Sequence, residues 1–188
     1  PQTVGDLGES RAVFFLPDGY VFAIWGVIYT GLLVYIIYQG RKSQREGGVN
    51  EAIGWWFVIS SIANMTWLVL FLYDLIWLST IAIVVILLSL LKIYVNLGIG
   101  TRTTTRAEKW AVHIPFSIYL GWVSVATIAN FAAALYDAGF VMEFVGINAA
   151  VWATIMMIVA SIIAFAMLYF RRDAAFALVI VWATVGIN

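Results

Sequence analysis

The chain has no cysteine, only 1 histidine and 3 prolines, and charged residues make up 11% of its 188 residues. Without thiols, it can form neither disulfides nor cysteine-ligated metal sites. Its formal net charge is zero and the sequence has no large basic patch, which excludes the usual nucleic-acid binder. Soluble domains carry about 25% charged residues. The scarcity of charge therefore excludes an ordinary soluble domain.

What the chain does have is apolar and aromatic. Hydrophobic residues account for 64% of it, with 9 Trp and 12 Phe, and the mean hydropathy is +0.99. This composition predicts an all-α, polytopic membrane protein built as a helical bundle. Six apolar runs are the predicted spans: 18–39, 52–73, 75–97, 108–135, 144–170 and 174–188.

The last run is short for a membrane crossing. At about 1.5 Å per residue it gives about 22 Å of helix, against a hydrocarbon core of about 30 Å. We therefore expect that this last helix is incomplete. At the other end, residues 1–17 are mixed and polar, without the basic start of a signal peptide, and are predicted to form an extracytoplasmic loop that Pro17 closes before Asp18 caps the first helix.

Basic residues predict the topology. The loops 41–51, 98–109 and 171–173 hold most of the Lys and Arg residues, and Arg11 is the one cation predicted on the opposite side. The positive-inside rule places these three loops in the cytoplasm. We expect an integral protein of a bacterial inner membrane, with Arg11 as a weak candidate for contacting an anionic ligand from outside.

The stretch 122–130 carries the strongest signal for a site. Trp122, Ala126 and Asn130 are spaced i, i+4, i+8, so they share one face of a helix. An amide buried in hydrocarbon is costly without a partner. This face therefore predicts contact with other helices or with a ligand.

Two further helix faces have a similar make-up. Trp25 and Tyr29 are spaced i, i+4 on the first span, and the second span carries Asn64, Trp67 and Phe71 at i, i+3, i+7. Aromatic rings with a few polar groups are typical of small-molecule sites. The same rings also occur as core packing, and the amides also occur as hydrogen bonds between helices, so both interpretations stay open.

These three spans resemble the translocator protein family (TspO/MBR, the tryptophan-rich sensory proteins). The first span carries its Pro…Trp-Gly-x-x-Tyr pattern, the second its Asn-x-x-Trp-x-x-x-Phe segment, and the fourth its Tyr-Leu-x-Trp-x-x-x-Ala-Thr-x-x-Asn segment. The matching residues are Pro17, Trp25, Gly26, Tyr29, Asn64, Trp67, Phe71, Tyr119, Leu120, Trp122, Ala126, Thr127 and Asn130.

The resemblance implies a five-helix bundle in which 18–135 supplies the family's helices two to five. It leaves 136–188 as two additional transmembrane helices, so the chain is similar to a longer, divergent member. It also implies a non-enzymatic protein that needs no cofactor and binds a planar apolar ligand, such as a tetrapyrrole or a sterol, between its helices. The implied ligand-binding residues are Trp25, Tyr29, Asn64, Trp67, Phe71, Trp122, Ala126 and Asn130.

Other interpretations remain beside this one. The chain could be a structural or pigment-contacting subunit of a larger membrane complex, or a homodimer. His113 is a weak candidate for an axial ligand to a tetrapyrrole metal. The glycines Gly26, Gly31 and Gly121 are expected to permit close helix approach. Four aromatic residues near span ends are expected at the bilayer interface, namely Trp55, Trp56, Tyr73 and Trp110.

Overall fold

The computed structural model describes residues 19–44, 48–138 and 149–186, which form helices and short connections. The predictions for the loop 1–17, for Arg11 and for the Asp18 cap lie outside these residues. A 3₁₀ turn, Gly19–Ala23, precedes the first helix. The helices are α1 (Ile24–Gln39), α2 (Val49–Ile53), α3 (Trp56–Leu72), α4 (Ile76–Asn96), α5 (Ile114–Asp137), α6 (Ala149–Arg171) and α7 (Ala174–Val185).

The second predicted span, 52–73, is wrong as a single helix. Gly54 adopts a left-handed backbone (φ +49°), which ends α2 and lets a new helix begin at Trp56. Within the described ranges, four helices are long and apolar enough to cross a membrane: Gly19–Gln39, Ile76–Asn96, Arg106–Leu135 and Thr154–Arg171. The helices α3 (17 residues) and α7 (12 residues) are apolar but shorter.

The helix α5 is the centre of the bundle, because it packs against α1, α4 and α7. Two glycines permit this. A Cβ at Gly121 would lie 3.1 Å from Val179 Cβ on α7, and one at Gly31 would lie 3.0 Å from Pro115 Cβ. Gly26 has open space around it, so the expectation of close packing is wrong there.

The short helix α7 is part of the core. Phe176, Ile180 and Ala183, spaced i, i+4, i+7, are at most 3% exposed. Near its end, Trp182 Nε1 donates to the carbonyl oxygen of Val21 at 3.2 Å. Helices α1, α3, α4, α5 and α7 therefore form a bundle of five around α5, and α6 packs mainly against α7.

Two tight turns join neighbouring helices. Asp74 between α3 and α4 and Arg172 between α6 and α7 have left-handed backbones, with φ of 63° and 51°. After Arg172, the Asp173 carboxylate caps α7 by accepting the amide of Phe176 at 3.1 Å. Trp55, Trp110 and Tyr73, three of the predicted interface residues, are more than 70% exposed near helix ends.

The described parts of the three basic loops lie at one end of the bundle, which we call the basic end. Arg171 reaches the carbonyl oxygen of Ile99 at 3.4 Å, and the Asn96 amide donates to the carbonyl oxygen of Ala52 at 2.8 Å. The three loops therefore lie at the same end, as the positive-inside rule requires of loops on one side of the membrane.

Candidate functional site

Four aromatic rings from α1 and α3 form a ladder of one stacked and two tilted pairs. Tyr29 stacks on Trp25 with centroids 5.5 Å apart and planes at 25°. Trp25 faces Trp67 across the two helices at 6.0 Å and 31°, and Trp67 continues to Phe71 at 5.8 Å and 35°. The backbones of α1 and α3 make few close contacts with each other. The two helices therefore meet mainly through side chains.

The helix α5 closes this ladder with rings that stand edge-on. Trp122 lies 6.4 Å from Trp25 at 85°, and Tyr119 lies 6.1 Å from it at 67°. Phe22 also meets Trp122 edge-to-face at 5.8 Å. We call these seven residues the aromatic cluster: Phe22, Trp25, Tyr29, Trp67, Phe71, Tyr119 and Trp122.

A buried polar network anchors the cluster to α4 and α5. The Trp67 indole donates to Asn130 Oδ1 at 3.1 Å. Asn130 Nδ2 in turn donates to Ser79 Oγ at 3.0 Å and to Thr80 Oγ1 at 2.7 Å. Asn130 is 2% exposed, and its amide oxygen and nitrogen both form hydrogen bonds with side chains of neighbouring helices. This geometry favours the role of Asn130 as a link between helices.

Two polar atoms beside the cluster have no hydrogen-bond partner among the residues that the structure describes. The Trp122 indole N–H is buried and unpaired, and so is Asn64 Oδ1, whose own Nδ2 lies 3.4 Å from Tyr29 OH. A buried unpaired polar group costs about 1–3 kcal/mol. A donor and an acceptor are therefore available to a molecule that enters the cluster.

The exposure of the rings differs from one side to the other. Trp67, Phe71 and Trp122 are at most 7% exposed, whereas Tyr29 is 51% exposed and Trp25 is half-buried. The cluster is therefore closed on the α5 side and reachable from the α1 side. Such a site offers flat apolar faces and two polar atoms, which suits binding of a planar molecule.

The structure brings together most of the predicted ligand-binding residues. Trp25, Tyr29, Trp67, Phe71 and Trp122 are in ring contact, and Asn64 and Asn130 are hydrogen-bonded to members of the cluster. Ala126 lies partly buried against the hydrophobic core, one turn from Trp122. Their role in ligand binding stays a prediction.

His113 lies elsewhere, near the basic end. It is 5% exposed, and its Nε2 is 3.4 Å from Glu108 Oε1 without hydrogen-bond geometry. In the part of the chain that the structure describes, no group of three or more His, Asp or Glu residues could hold a metal ion. His113 and Glu108 form a pair and not such a group.

A buried carboxylate was missed by the sequence reasoning. The sequence places Asp173 in a cytoplasmic loop, but it is 7% exposed, and its Oδ2 accepts from Ser117 at 2.7 Å and from Tyr94 OH at 2.9 Å. With its cap on α7, Asp173 links three helices. An Asp directly before an apolar run is an N-cap signal, but burial depends on tertiary contacts.

Tyr119 and Phe22 were also missed as members of the cluster. Each lies three residues before a predicted site residue, Trp122 and Trp25 respectively, so helical spacing could have found them.

One of the comparisons with known proteins identifies a family. A family model described as TSPO-like protein matches residues 1–188, so the match includes α6 and α7 as well as the region that carries the motifs. No curated protein matches the chain, and no solved structure does. Because the match spans the whole chain, this protein belongs to the TSPO-like family.

Proposed function

We propose that this membrane protein binds a planar hydrophobic ligand, of tetrapyrrole or sterol-like type, at the aromatic cluster. The observation that carries the proposal is the ladder of rings from Tyr29 to Phe71, whose planes lie within 25–35° of one another from pair to pair. A flat ligand gains most from faces that are already nearly parallel. Because α1 and α3 contact each other mainly through side chains, the rings on the two helices can separate without breaking close backbone packing.

The ligand enters from the exposed side in this proposal. Tyr29 and Trp25 move outward, and the ligand takes the space between Trp25 and Trp67. The unpaired Trp122 N–H and Asn64 Oδ1 then orient it through a polar substituent. Binding would replace ring–ring contacts by ring–ligand contacts, and it would give both polar atoms a partner.

We also propose that the protein binds rather than catalyses and acts in sensing or regulation. The groups around the cluster are rings, two amides and hydroxyls, which offer binding and orientation. A bacterial inner membrane with the basic end in the cytoplasm is the location that the charge pattern favours.

A titration of the purified protein with protoporphyrin tests the proposal, with tryptophan quenching and the pigment's absorbance as readouts. Trp25→Leu removes a half-buried ring face and is expected to weaken binding by up to about tenfold. Trp122→Phe keeps a ring but removes the unpaired N–H, and it is expected to weaken the binding of ligands that carry a hydrogen-bond acceptor. Trp77→Leu is the matched control, since Trp77 is 50% exposed on α4 and is not a member of the aromatic cluster.

The strongest test is the double variant Trp25→Ala with Trp122→Ala. If it binds protoporphyrin as tightly as the parent, the site is misplaced. Helix content and thermal stability of each variant show that a loss of binding does not come from unfolding.

A second candidate function is that of a structural or pigment-contacting subunit. One observation favours it: only 6% of Thr154–Arg171 is buried, and this segment of α6 presents Phe165 and Tyr169 in an exposed stack. Co-purification with a fixed set of subunits in mild detergent would favour this function, and a protein that migrates alone with a bound pigment would favour the first.

A further inference from the structure

A cavity lies at the basic end, between α1, the beginning of α5 and α7. Its volume is about 1190 Å³, and none of the predicted ligand-binding residues lines it. One part of its wall is apolar and runs along the three helices. The residues of this wall include Ile24, Val27, Ile114, Ile118, Leu178 and Trp182.

The other part of the wall is strongly basic. Its cations come from two separate segments of the chain, the loop 98–109 and the α6–α7 turn: Arg102, Arg106, Lys109, Arg171 and Arg172. Arg102 is paired with Glu108, and Arg171 contacts the carbonyl oxygen of Ile99 and the ring of Tyr94. Among the described residues, the side chains of Arg106, Lys109 and Arg172 have no hydrogen-bond or ion-pair partner, so their charge is available.

The acidic groups nearby are already occupied. Asp173 lines the cavity, but its oxygens accept from Tyr94, Ser117 and the Phe176 amide. The Glu108 carboxylate is held by Arg102. The cavity wall therefore keeps an excess of positive charge.

Within the described part of the chain, two polar atoms in the cavity wall lack a hydrogen-bond partner. His113 is 5% exposed, and its buried Nε2 has none. Thr104 Oγ1 is also buried and unpaired. His113 Nε2 lies 3.4 Å from Glu108 Oε1 without hydrogen-bond geometry. Both atoms therefore remain available for a hydrogen bond with a polar group in the cavity.

The backbone holds the basic wall in place. Gly100 has a left-handed φ of +79°, and a Cβ there would overlap the carbonyl oxygen of Arg171. This contact joins the loop after α4 to the α6–α7 turn, where Arg172 also has a left-handed backbone. The cations of two loops are thus fixed beside one another before any ligand binds.

We propose that this cavity binds one anionic phospholipid of the membrane leaflet at the basic end. The phosphate of the headgroup lies among Arg106, Lys109 and Arg172, and one acyl chain lies in the apolar groove between α1 and α7. His113 Nε2 and Thr104 Oγ1 contact the polar glycerol region. This site is independent of the aromatic cluster and does not rest on the ligand proposed there.

A phospholipid fits better than a soluble anion for two reasons. The apolar wall continues along membrane-spanning helices, as an acyl chain does, and a free phosphate would leave it empty. The cations lie at helix ends, where lipid headgroups are found, and each basic side chain near an anionic membrane surface strengthens binding about fivefold.

Native mass spectrometry of the purified protein, released from nanodiscs, tests the proposal. The nanodiscs contain either phosphatidylcholine alone or phosphatidylcholine mixed with phosphatidylglycerol. We expect one retained phosphatidylglycerol in the mixture and no retained phosphatidylcholine. The variant Arg106→Gln with Lys109→Gln removes two exposed cations and is expected to weaken retention about 25-fold.

The matched control is Lys42→Gln with Lys92→Gln. It removes the same charge near the same end, from residues that do not line the cavity, and should retain the lipid. Ala175→Phe leaves every cation in place but fills the groove, and is expected to abolish retention. Thermal stability of each lipid-free variant shows that it is folded.

Three results would overturn the proposal. One is an equal loss of phosphatidylglycerol retention in the cavity variant and its control, which would show that the effect comes from surface charge in general. Another is retention in Ala175→Phe, which would place the lipid elsewhere. The last is displacement by inorganic phosphate or glycerol 1-phosphate at the concentration at which phosphatidylglycerol binds, which would identify the occupant as a soluble anion.

Discussion

At the scale of residues, two members of one helix face have different surroundings. Trp122 and Asn130 both project from α5, and both are 2% exposed. Asn130 is fully used by Trp67, Ser79 and Thr80, whereas the Trp122 indole N–H has no partner. The spacing predicts the shared face, but the partners come from α3 and α4, which only the packing brings into reach.

Replacing Asn130 tests its role as a link between helices. Asn130→Ala leaves the Trp67 indole unpaired in the core and is expected to lower the free energy of unfolding by about 1–3 kcal/mol. The measurement is an unfolding titration in detergent micelles.

Asn64→Ala is the control for this prediction. Asn64 is partly exposed and makes one long bond, to Tyr29 at 3.4 Å, so we expect a loss below about 1 kcal/mol. Equal losses in the two variants would mean that the Asn130 network contributes nothing beyond an ordinary surface contact.

At the scale of elements, α5 is unusual at its beginning. One α-helical turn, Arg106–Glu108, and a π-helical turn, Lys109–His113, lead into it. Pro115 follows, and because a proline ring crowds the carbonyl four residues earlier, a wider turn relieves the clash. The sequence predicts an irregularity near Pro115. The wider turn brings His113 and Trp110 to the wall of the basic cavity.

Helix packing against α5 gives a second prediction. Gly121→Val would place side-chain atoms against Val179 and the Phe176 carbonyl oxygen on α7, whose distances from a Cβ are already 3.1 and 3.2 Å. We expect a loss of about 1–3 kcal/mol in unfolding free energy, because α7 must move away from α5. Thermal or denaturant unfolding in detergent measures the change.

The control for this prediction is Gly26→Ala. A Cβ at Gly26 meets nothing within 4 Å, and alanine favours a helix over glycine by up to about 1 kcal/mol. We expect unchanged or higher stability. If Gly121→Val were as stable as Gly26→Ala, the close approach of α5 and α7 would not exist in solution.

At the scale of the whole molecule, α5 and four other helices form one bundle, and the basic residues are concentrated at one of its ends. The basic end holds the described parts of the three loops that the positive-inside rule assigns to one membrane side. The aromatic cluster lies toward the opposite half, and the basic cavity lies at this end. From this end, the apolar wall of the cavity extends along α1 and α7 to Ile24 and Trp182.

The absence of cysteine makes the orientation directly measurable. Tyr73 lies at the end opposite the basic end and is 76% exposed, so Tyr73→Cys places a thiol there. Thr103 lies in an exposed loop at the basic end, so Thr103→Cys places a thiol on the other side. A membrane-impermeant maleimide added to intact cells is expected to label Tyr73→Cys. Thr103→Cys should be labelled only after permeabilisation.

The cysteine-free parent is the control for background labelling. The reverse pattern would place the basic end outside and would contradict the positive-inside assignment.

The sequence by itself determined the membrane class, the approximate helices and the faces that carry Trp25, Trp67 and Trp122, because hydropathy and helical spacing are local properties. Only the tertiary structure decided the break at Gly54, the burial of Asp173 and the cavity at the basic end. Each of these depends on which segments, distant along the chain, come to lie side by side. The short helix α7 shows the difference best: its apolar residues predict a helix, but its place in the core depends on the close approach that Gly121 permits.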